Sequence, residues 1–199
     1  LALIDAVDGI ERIRYTSPHP KDIREDVIRA HAELPSVCEH IHLPLQSGSD
    51  RTLRAMQRGY TAERYLERLA AARSAVPDLA VSTDLIVGFP GGTDEDFKQL
   101  AAFVEQAQFD HVGVFTYSDE DGTAAFDLDG RVPARVKKAR QSELMRIQKR
   151  ISLRKNKARV GSLVEVLVEG PHPDTDLLLT GRLSSQAPEI DGSVLVTDP

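Results

Sequence analysis

Three residues of the 199-residue chain have types and positions that suit the binding of a small polar molecule: Gln46, Arg58 and Asp84. Gln46 directly follows the apolar run HIHLPL, Arg58 comes after a short helical segment, and Asp84 lies inside the next apolar run. Amide and carboxylate oxygens accept hydrogen bonds from a ribose diol, whereas a guanidinium holds a carboxylate through a two-pronged, charge-assisted contact. The set therefore predicts a site for an aminoacyl nucleoside.

Each of these residues also has a purely structural interpretation. Gln46 could close a turn, Arg58 could be a surface side chain, and Asp84 could orient a neighbouring amide. Asp84 is the hardest to explain in this way, because burial of a carboxylate in an apolar strand is costly unless a partner compensates for it.

Further candidates lie beside other predicted strand ends. Ser17 and His19 follow the first predicted strand, and Gly88 begins the glycine-rich turn GFPGGT, whose main chain could pass close to a flat ring. None of the six histidines has metal-ligand spacing, and His40 and His42 are expected to be satisfied core residues. We assign no metal ligand in this chain.

Four short runs rich in β-branched and apolar residues predict strands, and a helical pattern follows each of them. The runs are RIRYT at 12–16, HIHLPL at 40–45, AVSTDLIVG at 80–88 and HVGVFTY at 111–117. Repeated strand and helix units predict a parallel sheet with its crossovers outside. Unusual polar segments follow all four strands, as they do at the mouths of barrels, so an α/β barrel is favoured over an open sheet.

Capping residues predict where three helices begin. Ser49 and Thr61 each precede a helical pattern, and Thr93 with Asp96 three residues later forms an acidic relative of a capping box. The helices after the second and third predicted strands are therefore expected to begin at these positions.

Beyond Gly161 the hydrophobic pattern changes to alternation with glycine and proline turns, which predicts a small all-β module. We expect an α/β domain at 1–158 and a β domain at 159–199. The β domain has two basic and seven acidic side chains, so it carries −5 of the chain's net charge of −6. This acidity bears on which partner the β domain can bind.

Residues 131–159 contain twelve basic side chains and one acidic side chain. Their apolar residues recur at near-helical spacing, which predicts a long basic amphipathic helix. We expect this helix to pack on the barrel with a solvated outer face; a nucleic-acid contact is the alternative.

A single cysteine, Cys38, excludes a disulfide within the chain and a self-contained thiolate cluster, and it is expected to be a small buried hydrophobe. No apolar run approaches the ~18 residues of a membrane span, so a cytoplasmic location is the default expectation. The first residues resemble the interior of a helix, and the last run resembles a strand without its partner. We therefore expect a chain that is cut at both ends.

Taken in order, the segments RIRYTSPHP, HLPLQSGSDRTLRAMQRGYT, TDLIVGFPGGTDEDF and YSDEDGTAA closely resemble the radical SAM methylthiotransferases, the family of MiaB and RimO. The resemblance spans essentially the whole chain. It implies the later part of a radical SAM partial (β/α) barrel, followed by a truncated TRAM-like domain. One departure is Gly92, where the family usually has Glu.

The resemblance also implies an enzyme that binds S-adenosylmethionine (SAM) and [4Fe-4S] clusters. Gln46, Arg58 and Asp84 match the family positions for the ribose and the methionine carboxylate. The cysteines that hold the clusters in such enzymes are absent from this sequence, so the fragment alone is expected to be inactive.

Two substrates are compatible with the resemblance. The segment QAPEIDG at 186–192 and the acidic β domain resemble the RimO branch, which modifies an aspartate of a basic small-subunit ribosomal protein; this is our first expectation. The segment TSPHP and the basic helix favour instead a MiaB-type enzyme, which modifies tRNA. A non-catalytic adaptor that binds SAM or a ribosomal protein is a third hypothesis.

Overall fold

The computed structural model describes residues 1–16 and 18–197. Its helices are α1 (Ala2–Asp5), α2 (Glu25–Glu33), α3 (Asp50–Ala55), α4 (Ala62–Ala75), α5 (Asp94–Ala107) and α6 (Ala134–Ala158), with a short 3-10 helix at Pro20–Asp22. Its strands are β1 (His40–His42), β2 (Ala80–Val87), β3 (His111–Thr116), β4 (Leu167–His172), β5 (Thr175–Arg182) and β6 (Val194–Val196). None of these helices combines the length and apolar content that a membrane crossing requires.

The first three strands form a parallel sheet in the order β1-β2-β3. Side chains that alternate along the strands, such as Leu85 and Val114, join Leu69, Phe103 and Leu144 of the surrounding helices in one hydrophobic core. The opposite face of the sheet is polar. This arrangement of strands with outer helices agrees with the predicted α/β barrel architecture.

The first predicted strand is not formed in the described residues, and the second is shorter than expected. The run 12–16 contributes one bridge, from Ile13 to Val37. In HIHLPL, Pro44 lacks an N–H group, so β1 ends at His42 and pairing resumes only at Gln46.

The predicted helix caps are confirmed. The side chains of Ser49 and Thr61 accept hydrogen bonds from backbone N–H groups in the first turns of α3 and α4. Thr93 and Asp96 form a complete capping box at the start of α5.

The long basic helix packs on the parallel sheet, as expected. The amide of Gln148 donates to the carbonyls of Phe109 and Asp110 just before β3. Arg140 forms an ion pair with Asp94 at 2.8 Å. Arg140 is therefore one cation of α6 that is paired inside the α/β part of the chain.

The last three strands form a separate antiparallel sheet in the order β4-β5-β6. It agrees with the predicted all-β module, while a domain boundary near 158–160 stays a prediction. Arg12 donates to the carbonyl of Arg182 at 3.3 Å, and Arg14 donates to the carbonyl of Ser184. Arginine side chains of the segment before α2 therefore bind the β module through the main-chain carbonyls of the module.

Candidate functional site

A cavity of about 1320 Å³ lies between the polar face of the parallel sheet, the segment 12–16, α6 and the β module. All three parallel strands contribute side chains to it. Because β-strand side chains alternate, each strand presents every second residue: His40 and His42 from β1, Ser82 and Asp84 from β2, and His111 and Gly113 from β3.

Two of these histidines share one hydroxyl group. Nε2 of His40 and Nδ1 of His42 each lie 2.9 Å from Oγ of Ser82. Burial lowers the pKa of His40 to about 3, and the charge of Arg14 acts in the same direction. His40 is therefore neutral at pH 7, and its ring nitrogens have hydrogen-bond partners. The expectation that His40 and His42 are core residues is wrong in one respect, because both line the cavity on the polar face of the sheet.

Asp84 is held at the sheet surface by its neighbours. Its Oδ2 lies 3.3 Å from Nε2 of His42, and the side chain is 36% exposed. Gly113 is its partner on β3, where an added Cβ would lie only 2.6 Å from Oδ1 of Asp84. The absence of a side chain at Gly113 thus leaves room for the carboxylate at the cavity wall.

Gln46 joins the sheet through its main chain. Its N–H donates to the carbonyl of Asp84 at 2.8 Å, and its carbonyl accepts from Ile86 at 2.9 Å. Its φ of +67° lies in the left-handed region, which is uncommon for a residue with a side chain. Such backbone strain at a strand end is frequent at binding sites.

Arg58 and His19 lie together near the same strand end. The ring of His19 meets the ring of Tyr60 edge-on at 5.3 Å, and the Tyr60 hydroxyl donates to the carbonyl of Leu45 at 2.9 Å. Burial lowers the pKa of His19, and the charges of Lys21 and Arg58 contribute in the same direction. Nε of Arg58 is buried without an acceptor among the described residues.

The turn after β2 is less open than predicted. Gly88 has a φ of +80°, and an added Cβ would lie 2.4 Å from the side chain of Lys137. Lys137 extends its ammonium group to the carbonyl of Tyr117 at 2.7 Å. The stem of Lys137 therefore covers Gly88. Ser17 lies outside the described residues.

The structure brings some of the predicted site residues together. Gln46 and Asp84 are adjacent through their backbones. Tyr60, two residues after Arg58, donates to the carbonyl of Leu45 just before Gln46. Among the described residues, no hydrogen bond or ion pair joins the three side chains, and of the three only Asp84 lines the large cavity. Their role in binding SAM stays a prediction.

Sequence reasoning missed Ser82 and Gly113 as parts of this surface. The signal that could have found them is register, since parallel strands place His42, Ser82 and His111 in one row across the sheet. Within residues 1–16 and 18–197, no group of three or more His, Cys, Asp or Glu side chains could hold a metal ion.

Comparison with protein families gives two matches. Residues 1–104 match the radical SAM superfamily, and residues 160–199 match the TRAM domain. Among solved structures, the chain resembles coproporphyrinogen III oxidase (HemN) from Escherichia coli, described as a radical SAM enzyme, with a TM-score of 0.57 and 14% identity. That likeness covers 83% of this chain and 45% of the other, and it supports the fold alone.

Several curated relatives carry the name tRNA-2-methylthio-N(6)-dimethylallyladenosine synthase. The relative from Akkermansia muciniphila is 43% identical over 98% of this chain and 44% of its own length. Those from Streptomyces viridosporus and Thermobifida fusca are 47% and 49% identical over 92% and 88% of this chain, and 36% of their own lengths. The chain thus spans less than half the length of these relatives. It belongs to the radical SAM superfamily and, within it, to the MiaB/RimO family of methylthiotransferases.

Proposed function

We propose that this chain is part of a radical SAM methylthiotransferase that modifies tRNA in the cytoplasm. The observation that carries the proposal is the set of relatives named as tRNA-modifying synthases, whose identity of 43 to 49% covers 88 to 98% of this chain. The region matched by these relatives includes the β module, whose sequence had favoured a ribosomal protein as the substrate. The comparisons thus favour the second of the two expected substrates over the first.

The described residues fit SAM in two respects. The buried, unpartnered Nε of Arg58 is a donor that a ligand carboxylate would satisfy. Asp84 offers carboxylate oxygens at the cavity wall that can accept hydrogen bonds from ribose hydroxyls. Gln46 would add its amide at the same strand end. SAM, when bound, would supply the radical precursor, while these residues would bind and orient it.

A [4Fe-4S] cluster does not fit the residues of this chain. Cluster binding requires several cysteine thiolates, and Cys38 is single, buried and 6% exposed. The described residues therefore supply no thiolate ligand set for such a cluster.

The substrate can be tested by disrupting the gene that encodes this chain in its own organism. We expect the methylthio-adenosine nucleosides of bulk tRNA to disappear, as measured by mass spectrometry of digested tRNA. The gene carrying Asp84→Ala should fail to restore them, whereas Asp78→Ala should restore them. Asp78 is exposed just before β2, so this control removes a carboxylate near the same strand but away from the cavity.

A RimO-type reaction on a ribosomal protein remains the second candidate, because the β module carries a net charge of −5. Phosphate binding by a TRAM domain is favoured by lysine and arginine, whereas an acidic surface suits a basic protein. If disruption leaves tRNA unchanged but removes one methylthio group from a small-subunit protein, this candidate replaces the first. If neither product changes, the adaptor hypothesis is favoured.

A further inference from the structure

Positive charge dominates the large cavity between the parallel sheet, α6 and the β module. Its basic side chains come from three separate parts of the chain: Arg12, Arg14, Arg146, Lys149 and Arg182. Three carboxylates line the same cavity. Five guanidinium or ammonium groups therefore face three carboxylates.

Each of the three carboxylates already has a partner in this chain. Oδ2 of Asp84 lies 3.3 Å from Nε2 of His42. Asp110 lies 2.8 Å from Nζ of Lys155. Asp191 accepts from a backbone N–H at 2.8 Å and lies 3.4 Å from Nδ1 of His111. Each carboxylate of the cavity therefore has at least one polar contact within the chain.

Several of the basic groups, in contrast, are available. Lys149 is exposed and has no hydrogen bond or ion pair with another described residue. Arg146 pairs only with Glu143 on its own helix, in a solvent-exposed contact that contributes little stability. Nε of Arg182 pairs with Glu169 at 2.7 Å, but its Nη1 is buried without an acceptor among residues 1–16 and 18–197. These groups can donate hydrogen bonds to an anion without the loss of a strong internal contact.

The next two arginines of α6 differ in their surroundings. Arg150 forms an ion pair with Glu105 of α5 at 2.8 Å, and Arg154 donates to the side chain of Gln108. Neither residue lines the cavity. Helix α6 thus carries cations on two sides, one that faces the cavity and one that faces α5.

We infer that the cavity side of α6 is a docking surface for tRNA phosphates, with Lys149 and Arg146 at the cavity rim and Arg182 deeper inside. This inference rests on the proposed function. The β module is acidic as a whole, so the attraction for RNA comes from α6 and the few cations that line the cavity. A basic ribosomal protein would meet like charge on the same wall, which is why RNA fits it better.

The test is the salt dependence of tRNA binding by the 199-residue chain. Binding of a labelled tRNA transcript is measured by fluorescence anisotropy at several salt concentrations, for wild type and two double variants. Arg146→Gln with Lys149→Gln removes two cavity cations. Arg150→Gln with Arg154→Gln removes the same charge from the α5 side and is the matched control. Circular dichroism checks that both variants fold.

Each lost phosphate contact reduces the slope of log affinity against log salt by about 0.7 to 0.9. We therefore expect the cavity variant to lose about 1.4 to 1.8 from this slope and to bind about tenfold or more weakly near 0.1 M salt, while the control keeps the wild-type slope. Equal slopes in the two variants, or no tRNA binding by the wild-type chain, would overturn the inference. The gene disruption decides the proposed function separately, since it depends on the modified nucleoside and not on this surface.

Discussion

Asp96 is one carboxylate that joins two parts of the fold, and its replacement tests the structure directly. Its oxygens accept hydrogen bonds from the Ser49 hydroxyl at 2.6 Å, from the Thr93 backbone at 2.8 Å and from the Thr93 hydroxyl at 2.5 Å. It also forms an ion pair with Arg51. The side chain is only 10% exposed. It therefore ties the loop after β1 to the first turn of α5.

The Asp96→Asn variant keeps the shape of the side chain and removes its charge. A hydrogen bond to a charged group contributes about 1.5 to 3 kcal/mol, whereas the pair with the half-exposed Arg51 adds about 1 kcal/mol or less. Since an amide can still accept some of these bonds, we expect the free energy of unfolding to fall by about 3 kcal/mol. With a urea m-value of about 2 kcal/mol/M, the midpoint followed by circular dichroism should fall by about 1.5 M.

Glu95→Gln is the matched control, because it also removes one carboxylate from the first turn of α5. Glu95 is 70% exposed and lies 3.7 Å from Lys98. We expect its free energy of unfolding to change by about 0.5 kcal/mol or less. Equal midpoints for the two variants would refute the conclusion that Asp96 holds the loop to the helix.

The same carboxylate predicts a pH dependence. Desolvation alone would raise the pKa of Asp96, but hydrogen bonds from Arg51, Ser49 and Thr93 outweigh it and hold the pKa well below its usual range. A lowered pKa in the folded state means that the stabilisation is complete above the unfolded pKa of about 3.9 and is lost as the pH falls below it. The stability gap between wild type and the Asp96→Asn variant should therefore shrink in acid. A gap that stays constant down to about pH 2 would contradict this assignment.

Three other substitutions probe packing and attachment. Gly48→Ala should lower the free energy of unfolding by about 1 to 3 kcal/mol, because the new Cβ would lie 2.8 Å from Cβ of Phe103; a wild-type thermal midpoint would show that the loop can move. Tyr65→Phe should lower it by about 1 kcal/mol, since the buried hydroxyl donates to the Leu43 carbonyl at 2.7 Å; an unchanged urea midpoint would argue against this bond. Asp191→Asn should speed protease cleavage between α6 and the β module, because it weakens the contact of residue 191 with Nδ1 of His111 on β3, which is 3.4 Å long. Unchanged cleavage would show that other contacts suffice.

The sequence predicted the parts of the fold that depend on local chemistry. Hydrophobic periodicity located β2, β3 and α6, and side-chain chemistry identified the caps at Ser49, Thr61 and Thr93. The prediction of a first strand was wrong, because a local pattern indicates only that a segment can be extended. A strand also needs a backbone partner from another part of the chain. Ile13 finds such a partner at only one position.

The site was predicted less completely than the fold. Gln46 was expected at the end of one strand and Asp84 inside the next, and the structure joins their backbones. The cavity itself could not be predicted, because it forms where α6 and the β module approach the sheet, and their approach depends on long-range contacts such as that of Arg14 with Ser184. Periodicity and motif spacing contain no information about such contacts.

The attachment of the β module has an evolutionary consequence. Arg12 and Arg14 bind it by hydrogen bonds to the backbone carbonyl oxygens of residues 182 and 184. Every amino acid has such a carbonyl oxygen. Substitutions at those two positions therefore leave both acceptors in place. The surface charge of the module can therefore change by substitution while these two attachments persist. An acidic TRAM domain on a chain whose relatives are named for tRNA is an arrangement that such an attachment permits.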